Sequence, residues 1–175
     1  MSQELSKYIR DVPGFPKAGI VFKDITTLLN DGKQFSRAVS LLDEHFKGTK
    51  VDAVLGIESR GFILGGALAF KRGLPFIPAR KPGKLPWKKV REEYHLEYGT
   101  DAIEIHEDSI SRGQNVLVID DLLATGGTAL AAVKLVEKLG GNVCGIGFLI
   151  ELVFLNGREK LDGYDVFSLV KYESE

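Results

Sequence analysis

The chain has 175 residues and a mass of 19.2 kDa, enough to bury roughly two-thirds of its unfolded surface around one core, so residues 1–175 read as a single domain. Its 23 basic and 24 acidic residues give a formal net charge of -1, which excludes a global field pulling it toward nucleic acid or anionic membrane; any charged ligand must be met locally. The single cysteine, Cys144, excludes an internal disulfide or a cysteine-based zinc site, and no stretch approaches about 18 uncharged apolar residues, so a cytoplasmic location with neither membrane nor nucleic-acid partners is expected.

Along the chain, apolar runs of four to eight residues alternate with longer amphipathic stretches, the pattern of β-α-β units and a mostly parallel central sheet flanked by helices. A short N-terminal helix and a segment punctuated by proline and glycine, 13–19, come first. Gly19-Ile20-Val21-Phe22-Lys23-Asp24-Ile25 favours β structure and reads by pattern as a core strand. A helix follows over 34–47 with Phe35, Ala38, Val39, Leu42 and Phe46 on one face, then a strand over 53–56. The turn Gly56-Ile57-Glu58-Ser59-Arg60-Gly61 opens the next helix, 62–72, and offers backbone donors beside a cation; Arg60 either faces an anionic ligand or pairs with Glu58 or another neighbour.

After a strand over 76–79 the rhythm breaks. Residues 80–100 hold Pro82, Gly83, Pro86, dense charge, Trp87 and Tyr94, and a connection of that length in a compact domain points to a hairpin or flap. Lys88 and Lys89 read as solvated charge, because Glu92, Glu93 and Glu97 follow at once and remove any basic nucleic-acid patch. Taken alone, Glu97 is a solvated loop side chain. None of His45, His95 and His106 has metal-ligand spacing.

The strongest signal is Val116-Leu117-Val118-Ile119-Asp120-Asp121-Leu122-Leu123-Ala124-Thr125-Gly126-Gly127-Thr128, leading into a helix over 128–139 that stops at Gly140-Gly141. Strands over 143–149 and 166–169 complete the pattern. A buried strand that enters a glycine turn at a helix N-terminus presents free N–H groups and the positive end of the helix dipole, a ready phosphate site to which Thr125 and Thr128 add hydroxyls. The lysine of a GxxxxGK[ST] loop and the spacing of a GxGxxG loop are both missing. Asp120 and Asp121 stand at the carboxyl end of the sheet, where open α/β folds bind ligands, and two sugar hydroxyls suit them; capping the helix or solvating a loop remains the competing use.

Apolar strand, Asp-Asp and ATGGT together resemble the 5-phosphoribosyl-1-pyrophosphate (PRPP) motif of type I phosphoribosyltransferases, and further segments are similar to the adenine phosphoribosyltransferases: GIVFKD, RKPGKLP and LEYGTD. The resemblance runs from Phe15-Pro16 to Phe167-Ser168-Leu169-Val170 and implies the type I fold with an N-terminal hood, about 1–33, and a flexible flap, 80–100. It implies transfer of the phosphoribosyl group from PRPP to adenine, giving AMP and pyrophosphate in purine salvage. Asp120 and Asp121 would hold the ribose hydroxyls, and Ala124, Thr125, Gly126, Gly127 and Thr128 the 5-phosphate. Ser59, Arg60, Arg80 and Lys84 would meet the pyrophosphate, with a non-proline cis peptide between Glu58 and Ser59. Phe22 would stack on adenine while backbone groups of Val21 and Lys23 read its edge, and Glu97, beside Tyr98, would act in acid–base catalysis. Mg²⁺ would arrive with PRPP without direct protein ligands, and the enzyme would be a homodimer. A phosphoribosyltransferase for another base, a PRPP-sensing regulatory module and a phosphate-binding structural domain are the competing readings.

Overall fold

The computed structural model describes residues 3–95 and 99–174. A 3-10 turn, Gln3–Tyr8, leads into β1 (Arg10–Pro13), which pairs antiparallel with β2 (Val21–Asp24) as a ribbon separate from the main sheet. The Val21–Asp24 segment is therefore a hood strand, not the core strand its pattern implies. Its alternation places Lys23, 7% exposed, against Asp11 (2.9 Å) and over the Tyr172 ring, so the apolar environment that a core strand would find is replaced by an ion pair.

After the short α1 (Thr26–Leu29), α2 (Gly32–His45) starts two residues before the expected boundary because the Asp31 carboxylate accepts from the N–H groups of Lys33 and Gln34 (3.0 and 3.2 Å), a helix cap. The remaining elements are β3 (Ala53–Ile57), α3 (Gly61–Arg72), β4 (Phe76–Ala79), β5 (Lys89–His95), β6 (Thr100–His106), β7 (Asn115–Leu123), α4 (Gly127–Lys138), β8 (Asn142–Leu152) and β9 (Val166–Tyr172). Two 3-10 turns, Val153–Leu155 and Gly157–Leu161, join β8 to β9.

The central sheet has order β4-β3-β7-β8-β9 and is parallel throughout. Its strands are continuous apolar runs because both faces are covered. The N-terminal turn, α2 and α3 lie on one face through Leu5, Leu42, Phe46, Leu64 and Leu68; α4 and the antiparallel β5–β6 hairpin lie on the other through Ala132, Val136, Ile103 and Ile105. The chain leaves β3 for β4 in one direction, then crosses back over β3 to β7 and continues the opposite way. That reversal between β3 and β7 leaves a crevice at their carboxyl ends, the place where such sheets bind ligands.

Candidate active site

Two loops meet in this crevice. The first follows β3, where the Glu58–Ser59 peptide is cis, at the position the family resemblance implies, and Arg60 stands immediately before α3. The second is β7 and the turn beyond it. Pairing of β7 with β3 ends at Ile119 opposite Gly56, while pairing with β8 continues to Leu123 opposite Glu151. Asp120 and Asp121 therefore lie inside a strand that is open on its β3 side, rather than at the strand's last residues.

Gly61 lets the two loops approach. A Cβ there would lie 2.8 Å from Asp120 Oδ1 and 2.9 Å from the Ile119 carbonyl oxygen, so no side chain fits. The Asp120 carboxyl is packed into this contact and accepts from the Asp121 N–H (2.8 Å), although the residue as a whole keeps some surface open to the crevice. Burial, then the neighbouring Asp121, push its pKa well above the ordinary carboxyl range. Asp121 is also raised by burial, with Arg60 opposing the shift; Arg60 Nε lies 2.7 Å from Asp121 Oδ2. Arg60 thus pairs with an acid of the other loop, not with Glu58.

Glu58 instead takes Arg80 (Nε to Oε2, 3.1 Å) and the Lys81 N–H (3.0 Å). Burial works to raise Glu58, but the Arg80 and Lys81 hydrogen bonds and the Arg80 charge outweigh it and hold the carboxyl below its ordinary range. Lys84 is exposed, and its carbonyl oxygen accepts from Arg80. Gly126, in the left-handed region at φ 77°, caps α4, and Thr125 is exposed beside it. Ser59, Arg60, Asp120, Asp121, Ala124 and Thr128 share the wall of a cavity of about 550 Å³.

Among the polar residues lining that cavity are three to which the sequence assigned no role: Lys81, Tyr94 and Asp101. Lys81 Nζ is 3.3 Å from Asp101 Oδ2, and the Tyr94 hydroxyl donates to the same oxygen at 3.3 Å. Burial raises the Tyr94 phenol, against a hydrogen bond from Thr128. The available signal was the hairpin register, which puts Tyr94 directly opposite Asp101.

Phe22 faces the same crevice: its ring lies 5.0 Å from the Arg60 guanidinium carbon and edge-on to Phe15 at 5.3 Å. The Gly14 N–H donates to the Ile20 carbonyl (2.8 Å), which sets the alternation of the β1–β2 ladder. Val12 and Phe22 become a bonded pair, while Pro13, which has no N–H, falls opposite Val21 at a non-bonded one. The N–H and C=O groups of Val21 and Lys23 consequently turn away from β1. The side chains of Val21 and Lys23 border a separate hollow of about 390 Å³ with Leu152 and Phe154. Glu97 and Tyr98 lie outside the described residues.

A family model described as a phosphoribosyl transferase domain matches residues 26–172. An adenine phosphoribosyltransferase of Koribacter versatilis is 54% identical over 97% of this chain and 93% of its own. The chain belongs to the adenine phosphoribosyltransferases. Solved structures of the family agree in fold: the enzyme of Thermoanaerobacter pseudethanolicus superposes with a TM-score of 0.95 at 52% identity, covering 98% of this chain and all of its own. The Saccharomyces cerevisiae enzyme, solved with an imino-altritol bisphosphate and adenine, gives 0.90 at 41% identity, with 97% and 98% covered. The type I α/β fold expected from the sequence is thus the fold found. No described helix is long and apolar enough to cross a membrane.

Proposed function

We infer that this chain transfers the 5-phosphoribosyl group of PRPP to adenine, giving AMP and pyrophosphate. The observation that carries this reading is the convergence, at the reversal point of the sheet, of the Asp120-Asp121 pair, the glycine turn opening α4 and the Arg60 loop, with Phe22 alongside Arg60. The bond from the anomeric carbon to the pyrophosphate oxygen breaks ahead of formation of the bond to the purine nitrogen, so positive charge develops on the ribose ring as in glycoside chemistry. Asp120 and Asp121 accept from the ribose hydroxyls and fix the ring, and Ala124, Thr125, Gly126, Gly127 and Thr128 wrap the 5-phosphate. Ser59, Arg60, Arg80 and Lys84 take up the charge of the departing pyrophosphate. Arg60 and Arg80 pair with Asp121 and Glu58, so PRPP oxygens compete with these internal partners for the two cations.

Adenine stacks on Phe22. The outward C=O of Lys23 or Val21 can accept from its amino group and an outward N–H can donate to a ring nitrogen; a 6-oxopurine inverts both and would leave buried groups unpaired. Glu97, with Tyr98 beside it, handles the proton on the purine imidazole as the flap over 80–100 excludes water. No group of three or more candidate metal ligands occurs among the described residues, and the crevice acids engage Arg60 and a backbone N–H. That donor set fits Mg²⁺ held through PRPP oxygens and water, where its charge would stabilise the leaving pyrophosphate. A cytoplasmic homodimer of one domain, 1–175, completes the reading; α3 supports the dimer by exposing Ile63 and Phe70 on one face.

The test is to mix protein, Mg²⁺ and PRPP with adenine, hypoxanthine, guanine, xanthine, uracil or orotate and to quantify nucleotide and pyrophosphate. AMP from adenine alone is expected. Product from another base would overturn the assignment of the base pocket, and PRPP binding without product would make the chain a PRPP sensor.

A further inference from the structure

Behind the phosphate turn a second backbone touches it. A Cβ on Gly157 would lie 2.1 Å from the Ala124 carbonyl oxygen and 2.8 Å from Gly126 N, and a Cβ on Gly126 would lie 2.3 Å from the Gly157 carbonyl oxygen. Neither residue has room for a methyl group, so the shape of the 124–128 turn is bounded by Gly157 as well as by its own glycines. Gly157 opens the second 3-10 turn after β8, following Asn156, which adopts the left-handed conformation at φ 53°.

What fixes Gly157 is the next residue. Arg158 grips Glu151 with a two-point fork, Nε to Oε1 at 2.8 Å and a terminal nitrogen to Oε2 at 2.5 Å. The other terminal nitrogen donates to the Val166 carbonyl (2.7 Å), and the one that holds Glu151 also donates to the Ser168 hydroxyl oxygen at 3.4 Å. Glu151 and Ser168 are 3% and 6% exposed, and Glu151 sits in the β8 ladder directly opposite Leu123, the last residue of β7 before the turn. The guanidinium therefore ties the Gly157 turn to β8 and β9, and that turn abuts the loop that leaves β7.

We propose that Gly157, held by the Glu151–Arg158 pair, is a positioning device for the 5-phosphate loop: it sets the path of residues 124–128 and so the direction of their N–H groups. The proposal rests on the phosphoribosyl-transfer reading and adds to it residues that never touch substrate. A brace of this kind acts on one end of PRPP only. It governs the grip on the ribose phosphate and leaves the pyrophosphate loop, which is built on β3 and α3, unaffected.

The experiment separates those two ends. Binding of ribose 5-phosphate and of pyrophosphate with Mg²⁺ is measured by calorimetry on the parent, Gly157→Ala and Arg158→Lys, with circular dichroism to establish folding and steady-state kinetics alongside. The added methyl of Gly157→Ala should weaken ribose 5-phosphate at least tenfold and raise the KM for PRPP by a similar factor, with pyrophosphate affinity and the KM for adenine changing less than twofold. Arg158→Lys keeps the charge and loses the fork, so it should give a smaller change of the same pattern, and it carries the test if Gly157→Ala does not fold. Ribose 5-phosphate affinity within twofold of the parent in a folded variant, or parallel loss of both ligands, overturns the brace while leaving the transferase reading intact. A parent that binds neither PRPP nor ribose 5-phosphate overturns the transferase reading and the brace with it.

Discussion

Asp120 is a carboxylate held where its charge is costly, packed against Gly61 and beside a second acid. Unfolded, it titrates near the ordinary aspartate value; folded, it titrates higher. Between those two values the folded state keeps a proton that the unfolded state has lost, so the stability it contributes is complete below the unfolded value and is lost as pH rises through the folded one. Asp120→Asn keeps an oxygen for the Asp121 N–H and removes the charge. It should raise Tm at pH 7, the gain shrinking toward about pH 4, while PRPP affinity falls tenfold or more if Asp120 is the proposed acceptor of a sugar hydroxyl. A Tm at pH 7 below that of the parent would mean that the acid is not under electrostatic strain. Glu97→Gln makes the complementary case: PRPP affinity should stay nearly intact while kcat drops by about 10²–10⁴, the range of one acid–base group, and unchanged turnover would remove the assignment. At this scale the acids and the ATGGT turn were legible because their chemistry is contiguous in the chain. The Arg60–Asp121 and Arg80–Glu58 pairs were not, since each joins residues brought together only when β3, β4 and β7 lie side by side.

The β5–β6 hairpin lines the crevice together with both of its loops. Tyr94 pairs with Asp101 one step from the hairpin's end, and with Lys81 these side chains form a chain that reaches Thr128 in the turn opening α4. Removing one hydroxyl from such a chain costs about 0.5–1.5 kcal/mol, so Tyr94→Phe should raise the KM for PRPP by roughly threefold to tenfold with Tm nearly unchanged, read by initial rates and thermal melting. An equal rise in the KM for adenine alone would place Tyr94 with the base. The hairpin also marks the limit of pattern reading for elements. Strands β3, β4, β7, β8 and β9 are unmistakable because burial on both faces makes them continuous apolar runs, whereas β6 alternates Asp101, Ile103 and Ile105 with Ala102, Glu104 and His106 and merges into the charged flap. The extension of β7 through its two acids was hidden for a related reason. Hydrogen bonds to β8, which the apolar pattern cannot report, carry the strand on through two acids that break the apolar run, Asp121 being itself buried.

For the whole molecule the exposed face of α3 stands out. Phe62, Ile63, Leu64, Leu68 and Phe70 make that helix apolar nearly all round, so its sequence does not reveal which side meets the sheet; the fold buries Leu64 and Leu68 and leaves Phe70 90% and Ile63 42% exposed. A phenylalanine presented to water at the same helical azimuth as an isoleucine seven residues earlier is the surface a second copy would cover. Light scattering should therefore give twice 19.2 kDa for the parent, and Phe70→Glu should give the single-chain mass. Because Arg60 stands immediately before α3 and Ile63 lies within its first turn, a partner on this face would steady the loop proposed to meet the pyrophosphate. The monomeric variant should then show a higher KM for PRPP, and the parent's specific activity should fall on dilution below the dimer dissociation constant. A parent that is already a monomer at micromolar concentration with full activity would leave α3 without a catalytic role and the pyrophosphate loop self-sufficient.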